Sequence, residues 1–306
     1  MRIRIATRSS KLALWQAEFV RAELMARHSG IQVGLLPVTT TGDTILGRPL
    51  RGVDGKALFI KELEEAMLRG EAEMAVHCMK DFHRATPEGF ALAAILERGS
   101  DRDMLLSREP IGHLDDLAPG AVVGTTSLRR AHEVKRHRPD ITIRTLRGNV
   151  TTRHAALLAG EFDAIVLAEA GFQRLGMEHG HCLVLSDREM LPCAGQGALG
   201  IEILAGAEDV RRTVSELHHE PTNLRVRAER AFIATLGADC GASVGVSSRL
   251  AGSKMVLCGF VGNSLGTEDL RETVTGTADA PEHLGSHLGN ALLRRGADKL
   301  LGQPHD

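Results

Sequence analysis

Two stretches of this chain hold small hydroxyl-bearing residues and arginines at spacings suited to capturing an anion. The first reads Gly124-Thr125-Thr126-Ser127-Leu128-Arg129-Arg130, the second Arg147-Gly148-Asn149-Val150-Thr151-Thr152-Arg153. Each follows an apolar, β-prone run, Ala121 to Val123 and Ile141 to Leu146, and each opens a segment of helical period. A small-residue turn between strand and helix leaves N–H groups unpaired at the helix start, and these favour a negative ligand. Arg129, Arg130, Arg147 and Arg153 add planar guanidinium forks that hold carboxylates bidentately. A single turn of this kind is most often an ordinary cap with solvated arginines. Two in successive strand-helix units predict a cradle for a small ligand with several negative charges.

Three other positions have chemical potential. Met74 to Val76 reads as a short buried strand running into His77-Cys78-Met79-Lys80-Asp81, which puts Lys80 and Asp81 where open α/β sheets place ligands. An adjacent Lys-Asp pair is commonly a solvated surface pair. At a strand end opposite the arginine cradle, Asp81 becomes a candidate general acid or cation stabiliser. Arg8 closes the first strand, Arg2 to Thr7, and reads equally as a ligand contact or a surface charge. Cys240 lies in the glycine-flanked loop Gly237-Ala238-Asp239-Cys240-Gly241-Ala242-Ser243. A thiol there is open to alkylation more often than a core cysteine, although most free cysteines are small buried hydrophobes.

Composition narrows the classes. The chain has 306 residues, 43% hydrophobic and 25% charged, enough for buried cores in two or three domains. Its net charge of −2 makes the arginine concentration local, and 3% aromatics with no Tyr leave little on which bases would stack, so no nucleic acid is expected. The longest apolar run, Phe90 to Leu96, is too short for a bilayer, and Met1-Arg2-Ile3-Arg4 enters a strand without a signal-type hydrophobic region. Five cysteines without a CxxC pair predict free thiols in a reducing cytoplasm, and the histidines lack metal-ligand spacing, so no metal is expected.

The elements that would position these residues alternate strand and helix. Ser9-Ser10 caps a helix with Leu12, Trp15, Phe19, Val20 and Leu24 on its apolar face, Ile31 to Val38 is the next strand, and Phe59 to Arg69 is helical. Between them, 44 to 56 is polar and glycine-spaced, which predicts a mobile loop over a site. Arg98 to Asp103 and Leu191 to Glu202 read as two crossings between two α/β lobes, a hinged clamshell. Beyond Glu220-Pro221 come a helix from Leu224 to Leu236, three strands (Val244 to Arg249, Met255 to Gly262, Glu272 to Thr277) and a helix from His283 to Arg294. The expected fold is thus α/β with two lobes, 1–97 plus 198–216 and 102–192, and a small α+β domain, 220–306, carrying Cys240.

These residues resemble the porphobilinogen deaminase, or hydroxymethylbilane synthase, family over essentially the whole length. The resemblance rests on Ala6-Thr7-Arg8-x-Ser10 with Leu12 to Ala17, Thr40 to Asp43, Leu58-Phe59-x-Lys61-Glu62-Leu63-Glu64, Val76-His77-x-Met79-Lys80-Asp81, Gly124 to Arg130, Arg147-Gly148-Asn149, Gly195-Gln196-Gly197-Ala198 and Ala228-Glu229-Arg230-Ala231. It implies lobes similar to periplasmic binding proteins and a monomer. It implies a covalent dipyrromethane cofactor, bound as a thioether to Cys240, onto which four porphobilinogens are added head to tail with loss of ammonia before hydrolytic release. By the same resemblance Lys80, Thr125, Ser127, Arg129 and Arg130 hold the cofactor. Arg8, Ser10, Arg147, Arg153 and Gln196 hold the substrate, and Asp81 stabilises the cation left when ammonia departs.

The chain departs from the family pattern at several points. Lys11 stands in place of a proline, Phe82-His83 in place of an apolar-proline pair, Glu169 in place of a small or apolar residue, and Ala238-Asp239-Cys240-Gly241-Ala242-Ser243 in place of Gly-Gly-Cys-x-x-Pro. A carboxylate beside Cys240 makes thiolate scarcer while favouring a cationic electrophile. Two alternatives therefore stay open: a divergent paralogue with altered product length or substrate, and a non-catalytic two-lobe anion-binding protein.

Overall fold

The computed structural model describes residues 1–41, 59–83, 85–238, 241–263 and 265–301. Cys240, Asp239 and the polar stretch 44–56 lie outside the described residues. The chain divides into two compact units, Met1–Arg98 with Ala198–Asn223, and Gly99–Gly197 with Leu224–Asp306.

The first unit is built on a five-stranded sheet of β1 (Arg2–Arg8), β2 (Gln32–Val38), β3 (Met74–Cys78), β4 (Phe90–Ile95) and β10 (Leu199–Leu204), in the order β2-β1-β3-β10-β4. The first three strands are parallel and β10 runs against both its neighbours. Alternation decides the faces: Ile3 and Ile5 join Val20, Leu24, Val210 and Val214, whereas Ala6 and Ala75 join Leu63 and Met67. Helices α1 (Lys11–Arg27) and α6 (Glu208–Ser215) thus cover one face and α2 (Lys61–Leu68) the other. The buried stripe of α1 is Gln16, Ala17, Val20 and Leu24. Trp15 and Phe19, expected in the core, instead stack on each other 5.4 Å apart beside that stripe, because one turn separates them.

The second unit repeats this topology. Strands β5 (Asp103–Ser107), β6 (Val122–Gly124), β7 (Thr142–Arg144), β8 (Ala164–Ala168) and β9 (Cys182–Val184) take the order β7-β6-β8-β5-β9, with β7, β6 and β8 parallel and β5 antiparallel to its neighbours. Helix α3 (Leu128–His137) packs through Val134 onto Val123, Ala164 and Val166. Helices α4 (Val150–Leu158) and α5 (Glu169–Arg174) pack through Leu157 and Phe172 onto Ile165 and Leu167. Strand β7 is shorter than the apolar run around it because β6 ends at Gly124, opposite Arg144, leaving later residues without a ladder partner.

The same unit holds a three-stranded antiparallel sheet, β11 (Val244–Ala251), β12 (Lys254–Gly262) and β13 (Asp269–Thr277), with helices α7 (Glu220–Thr235), α8 (Pro281–Arg294) and α9 (Ala297–Leu301). Phe232 and Leu288 bury against Val246 and Leu257. Helix α7 begins four residues before the expected Leu224, since Pro221 is tolerated in a first turn where no N–H partner is required. The fold class is α/β with two repeated mixed sheets and a small C-terminal sheet domain. Among the described residues no helix is long and apolar enough to cross a membrane, and no three His, Cys, Asp or Glu side chains group as metal ligands.

A charged seam joins α3 to this sheet. His132, fully buried, has Nδ1 2.7 Å from the Asn263 carbonyl and Nε2 3.4 Å from Asp269, and Arg271 Nε donates to the same carboxylate at 2.6 Å. The His132 hydrogen bond and the Arg271 charge push the Asp269 carboxyl down to about 2. A depressed folded value means that its stability contribution is complete above the unfolded value of about 3.9 and is lost as pH falls through about 2. Melting temperature followed from pH 5 to pH 2 should fall less steeply in Asp269→Asn than in wild type, and equal slopes would refute the coupling.

Candidate functional site

In the second unit, β6 and β7 end side by side, so the turns that follow them share one edge of the sheet. Thr125 donates its backbone N–H to the Arg144 carbonyl and, with its buried hydroxyl, accepts from Ser127 N at 3.1 Å. Ser127 caps α3 by accepting from Arg130 N, and Asn149 caps α4 by accepting from Thr152 N at 2.8 Å. Both glycines of these motifs are required. A Cβ on Gly124 would lie 2.8 Å from the Phe162 ring and 2.9 Å from Leu146, and Gly148 has φ +100°. Arg147 is exposed, and Arg153, half-buried, turns back to donate to the Gly148 carbonyl at 2.7 Å.

Arg129 and Arg130 are 3% and 7% exposed. Their guanidinium groups converge on Asp103, which is completely buried at the head of β5. Arg129 donates to Asp103 Oδ2 at 2.7 Å and to the Leu191 carbonyl at 2.6 Å, and Arg130 donates to Asp103 Oδ1 and to the Val166 carbonyl. Gln196, also fully buried, donates to Asp103 Oδ1 at 3.2 Å and to the Asp101 carbonyl. Burial alone would raise the Asp103 carboxyl, but the charges and hydrogen bonds of Arg129 and Arg130 hold it well below the usual carboxylate range. Two cations and one anion leave a net positive charge behind the α3 turn. Asp103 was absent from the sequence-derived candidates. The signal for it was a carboxylate directly heading the apolar run Met104-Leu105-Leu106, a position where burial demands a cationic partner.

In the first unit β1 and β3 are parallel neighbours, so Arg8 and Ser10 share a sheet edge with Lys80 and Asp81. Ser10 caps α1 by accepting from Ala13 N at 3.3 Å, and the Arg8 guanidinium lies 4.1 Å from the centre of the Phe59 ring. Lys80 and Asp81 occupy a single turn, Met79–Asp81, with Lys80 half-buried and Asp81 exposed. In the second unit the residue directly after β8, the counterpart of Met79, is Glu169, which accepts from Ser100 Oγ and from Gln173 Nε2 at 2.9 Å. Lys11 is the first, exposed residue of α1. Ser243 is buried, and its hydroxyl has no hydrogen-bond partner among the described residues.

The donor chemistry suits a ligand bearing several carboxylates, as the dipyrromethane implied by the resemblance does. Capping hydroxyls and helix N-termini at one sheet edge, reinforced by the Arg129-Arg130-Asp103 cluster and Arg147, present a surplus of donors and positive charge.

Residues 3–212 match the family model described as "Porphobilinogen deaminase, dipyromethane cofactor binding domain", and residues 223–294 match "Porphobilinogen deaminase, C-terminal domain". Among solved structures, the chain is similar to a second substrate-binding domain of a putative amino acid ABC transporter from Streptococcus pneumoniae, at 13% identity and a TM-score of 0.44, covering 71% of this chain and 91% of that one. It is also similar to the BvgS VFT2 domain of Bordetella pertussis, at 15% identity, 71% and 86% coverage and a TM-score of 0.42. A third similar structure is the substrate-binding protein of an amino acid ABC transporter, at 17% identity, 71% and 91% coverage and a TM-score of 0.39.

Proposed function

The chain belongs to the porphobilinogen deaminase family, and from that premise we propose that it polymerises porphobilinogen head to tail, with loss of ammonia, into the linear tetrapyrrole hydroxymethylbilane. Family membership makes it a transferase of tetrapyrrole synthesis with a dipyrromethane-cofactor domain. The finer assignments are the proposal: a thioether from Cys240, a product of four units, a three-domain division at 1–97 with 198–216, 102–192 and 220–306, action as a monomer, and a cytoplasmic location. One observation carries it. The matched cofactor-binding stretch contains every charged and hydroxyl residue found at the two sheet edges, from Arg8 to Arg153.

The cofactor, when bound, would supply the nucleophilic pyrrole carbon that accepts the first porphobilinogen, each later unit joining the pyrrole added before it. Thr125, Ser127 and the start of α3 bind its carboxylates, and Arg129 and Arg130 share their positive charge with them while anchored on Asp103. Arg8 and Ser10 in the first unit, and Arg147 and Arg153 in the second, are donors for the acetate and propionate of porphobilinogen, whereas Gln196, expected to bind substrate, is fully buried with its amide donating to Asp101 and Asp103 and so holds Asp103 in place. Lys80 holds a cofactor carboxylate beside Asp81. Asp81 faces the cation created as ammonia leaves porphobilinogen and takes up the proton lost when the pyrrole ring regains its aromaticity.

Intact mass spectrometry of protein made in a cell that supplies porphobilinogen tests the covalent step. Wild type should exceed the polypeptide mass by two linked pyrroles, and Cys240→Ser should return to the bare polypeptide with no turnover. A bare wild-type mass in a protein that nonetheless forms hydroxymethylbilane would overturn the thioether.

A further inference from the structure

Lys80 and Asp81 stand on a turn of three residues, closed by one weak bond from Phe82 N to the Met79 carbonyl at 3.4 Å. Such a turn cannot by itself hold an exposed carboxylate in one direction. The residues on either side of it do. His77, the penultimate residue of β3, is 5% exposed, and its Nε2 donates to Glu202 Oε2 on the neighbouring β10 at 2.9 Å. Glu202 is completely buried, so the pair fixes the ring plane of His77 firmly. Five residues on, Phe82 is buried with its ring centre 5.0 Å from that of His77. His83 then packs edge-on against Phe82 at 5.5 Å, and its Nε2 donates to Glu64 Oε1 on α2 at 3.0 Å.

We infer that His77, Phe82 and His83 form a three-ring staple, pinned by Glu202 on the sheet and Glu64 on α2, that orients Lys80 and Asp81. The rings bridge the turn from both sides, so its backbone cannot twist without breaking a ring contact or a hydrogen bond to a carboxylate. Phe82-His83 takes the place of the family's apolar-proline pair. A proline would stiffen the exit of the turn by locking φ, and here the tilted and edge-on ring contacts and the His83-Glu64 bond do so instead. His77, Phe82 and His83 are accordingly positioning residues. Their action on catalysis rests on the reading of Asp81 given above, but their action on the turn does not.

The test uses the full-length, cofactor-loaded protein and two readouts. Phe82→Leu keeps apolar volume and loses the ring, His83→Ala removes the bond to Glu64, and His83→Gln retains a donor for Glu64. In Phe82→Leu and His83→Ala, kcat for porphobilinogen should fall about ten-fold or more while KM stays within about two-fold, with His83→Gln recovering most of the loss. Independently of activity, hydrogen exchange at the amides of 79–83 should quicken about ten-fold in the same two variants, while the rest of the first unit keeps its protection. Unchanged exchange in both would overturn the staple. Quickened exchange with unchanged kcat would retain the staple and overturn its role in orienting Asp81. Wild-type protein inactive on porphobilinogen would instead defeat the functional proposal, with exchange still deciding the staple.

Discussion

Replacing Asp81 by alanine is expected to lower porphobilinogen turnover by about a hundred-fold to ten-thousand-fold, the range over which a positioned acid or base acts. The side chain is exposed at the end of β3. Removing it opens no cavity, and folding stability should change by less than about 0.5 kcal/mol. Asp81→Asn keeps the shape and loses the charge, so it should be nearly as inactive as alanine if the carboxylate stabilises a passing cation. Asp81→Glu should retain measurable activity. Steady-state kinetics alongside urea denaturation separate the two effects. Turnover within a factor of about three of wild type in Asp81→Asn would remove charge from the mechanism.

Asp103→Ala should have the largest effect on stability. The carboxylate is fully buried and is the shared acceptor for Arg129, Arg130 and Gln196. Its removal leaves two guanidinium groups, both under one tenth exposed, with like charges and no anion between them. Breaking a buried pair in this way costs about 3–5 kcal/mol, a fall in melting temperature on the order of 10 °C. Asp103→Asn preserves acceptor geometry on one side and should cost less. A loss below about 1 kcal/mol in the alanine variant, the size typical of surface pairs, would show that Arg129 and Arg130 do not depend on Asp103 for their place.

Much of this was legible in the chain. The alternation of apolar runs and helical segments, with small residues at each junction, specified parallel strand-helix units and put Ser10, Lys80, Asp81, Thr125, Ser127 and Asn149 at strand ends. The reason is local: a cap or a turn needs a particular side chain at a particular position, whatever surrounds it. The C-terminal strands were readable for the same reason, since period-2 alternation reports a half-buried sheet. The interior partners were not. Arg129 and Arg130 read as a free cationic fork because nothing within nine residues of them is acidic except Glu133. Their partner, Asp103, is 26 residues from Arg129 in sequence and reaches it because β5 enters the sheet next to β8.

The sequence alone therefore determined the class of fold, the family and the residues that can donate to an anion, because these depend on residue type and short-range spacing. Tertiary structure alone decided which arginines stay exposed, as Arg147 does, and which are buried against Asp103, as Arg129 and Arg130 are. It also decided that His77, Phe82 and His83 close around the Lys80–Asp81 turn with Glu202 and Glu64 as anchors. Long-range pairing of buried charges and rings is set by strand order and register, which bring together residues 19 to 125 positions apart, and no local pattern encodes it.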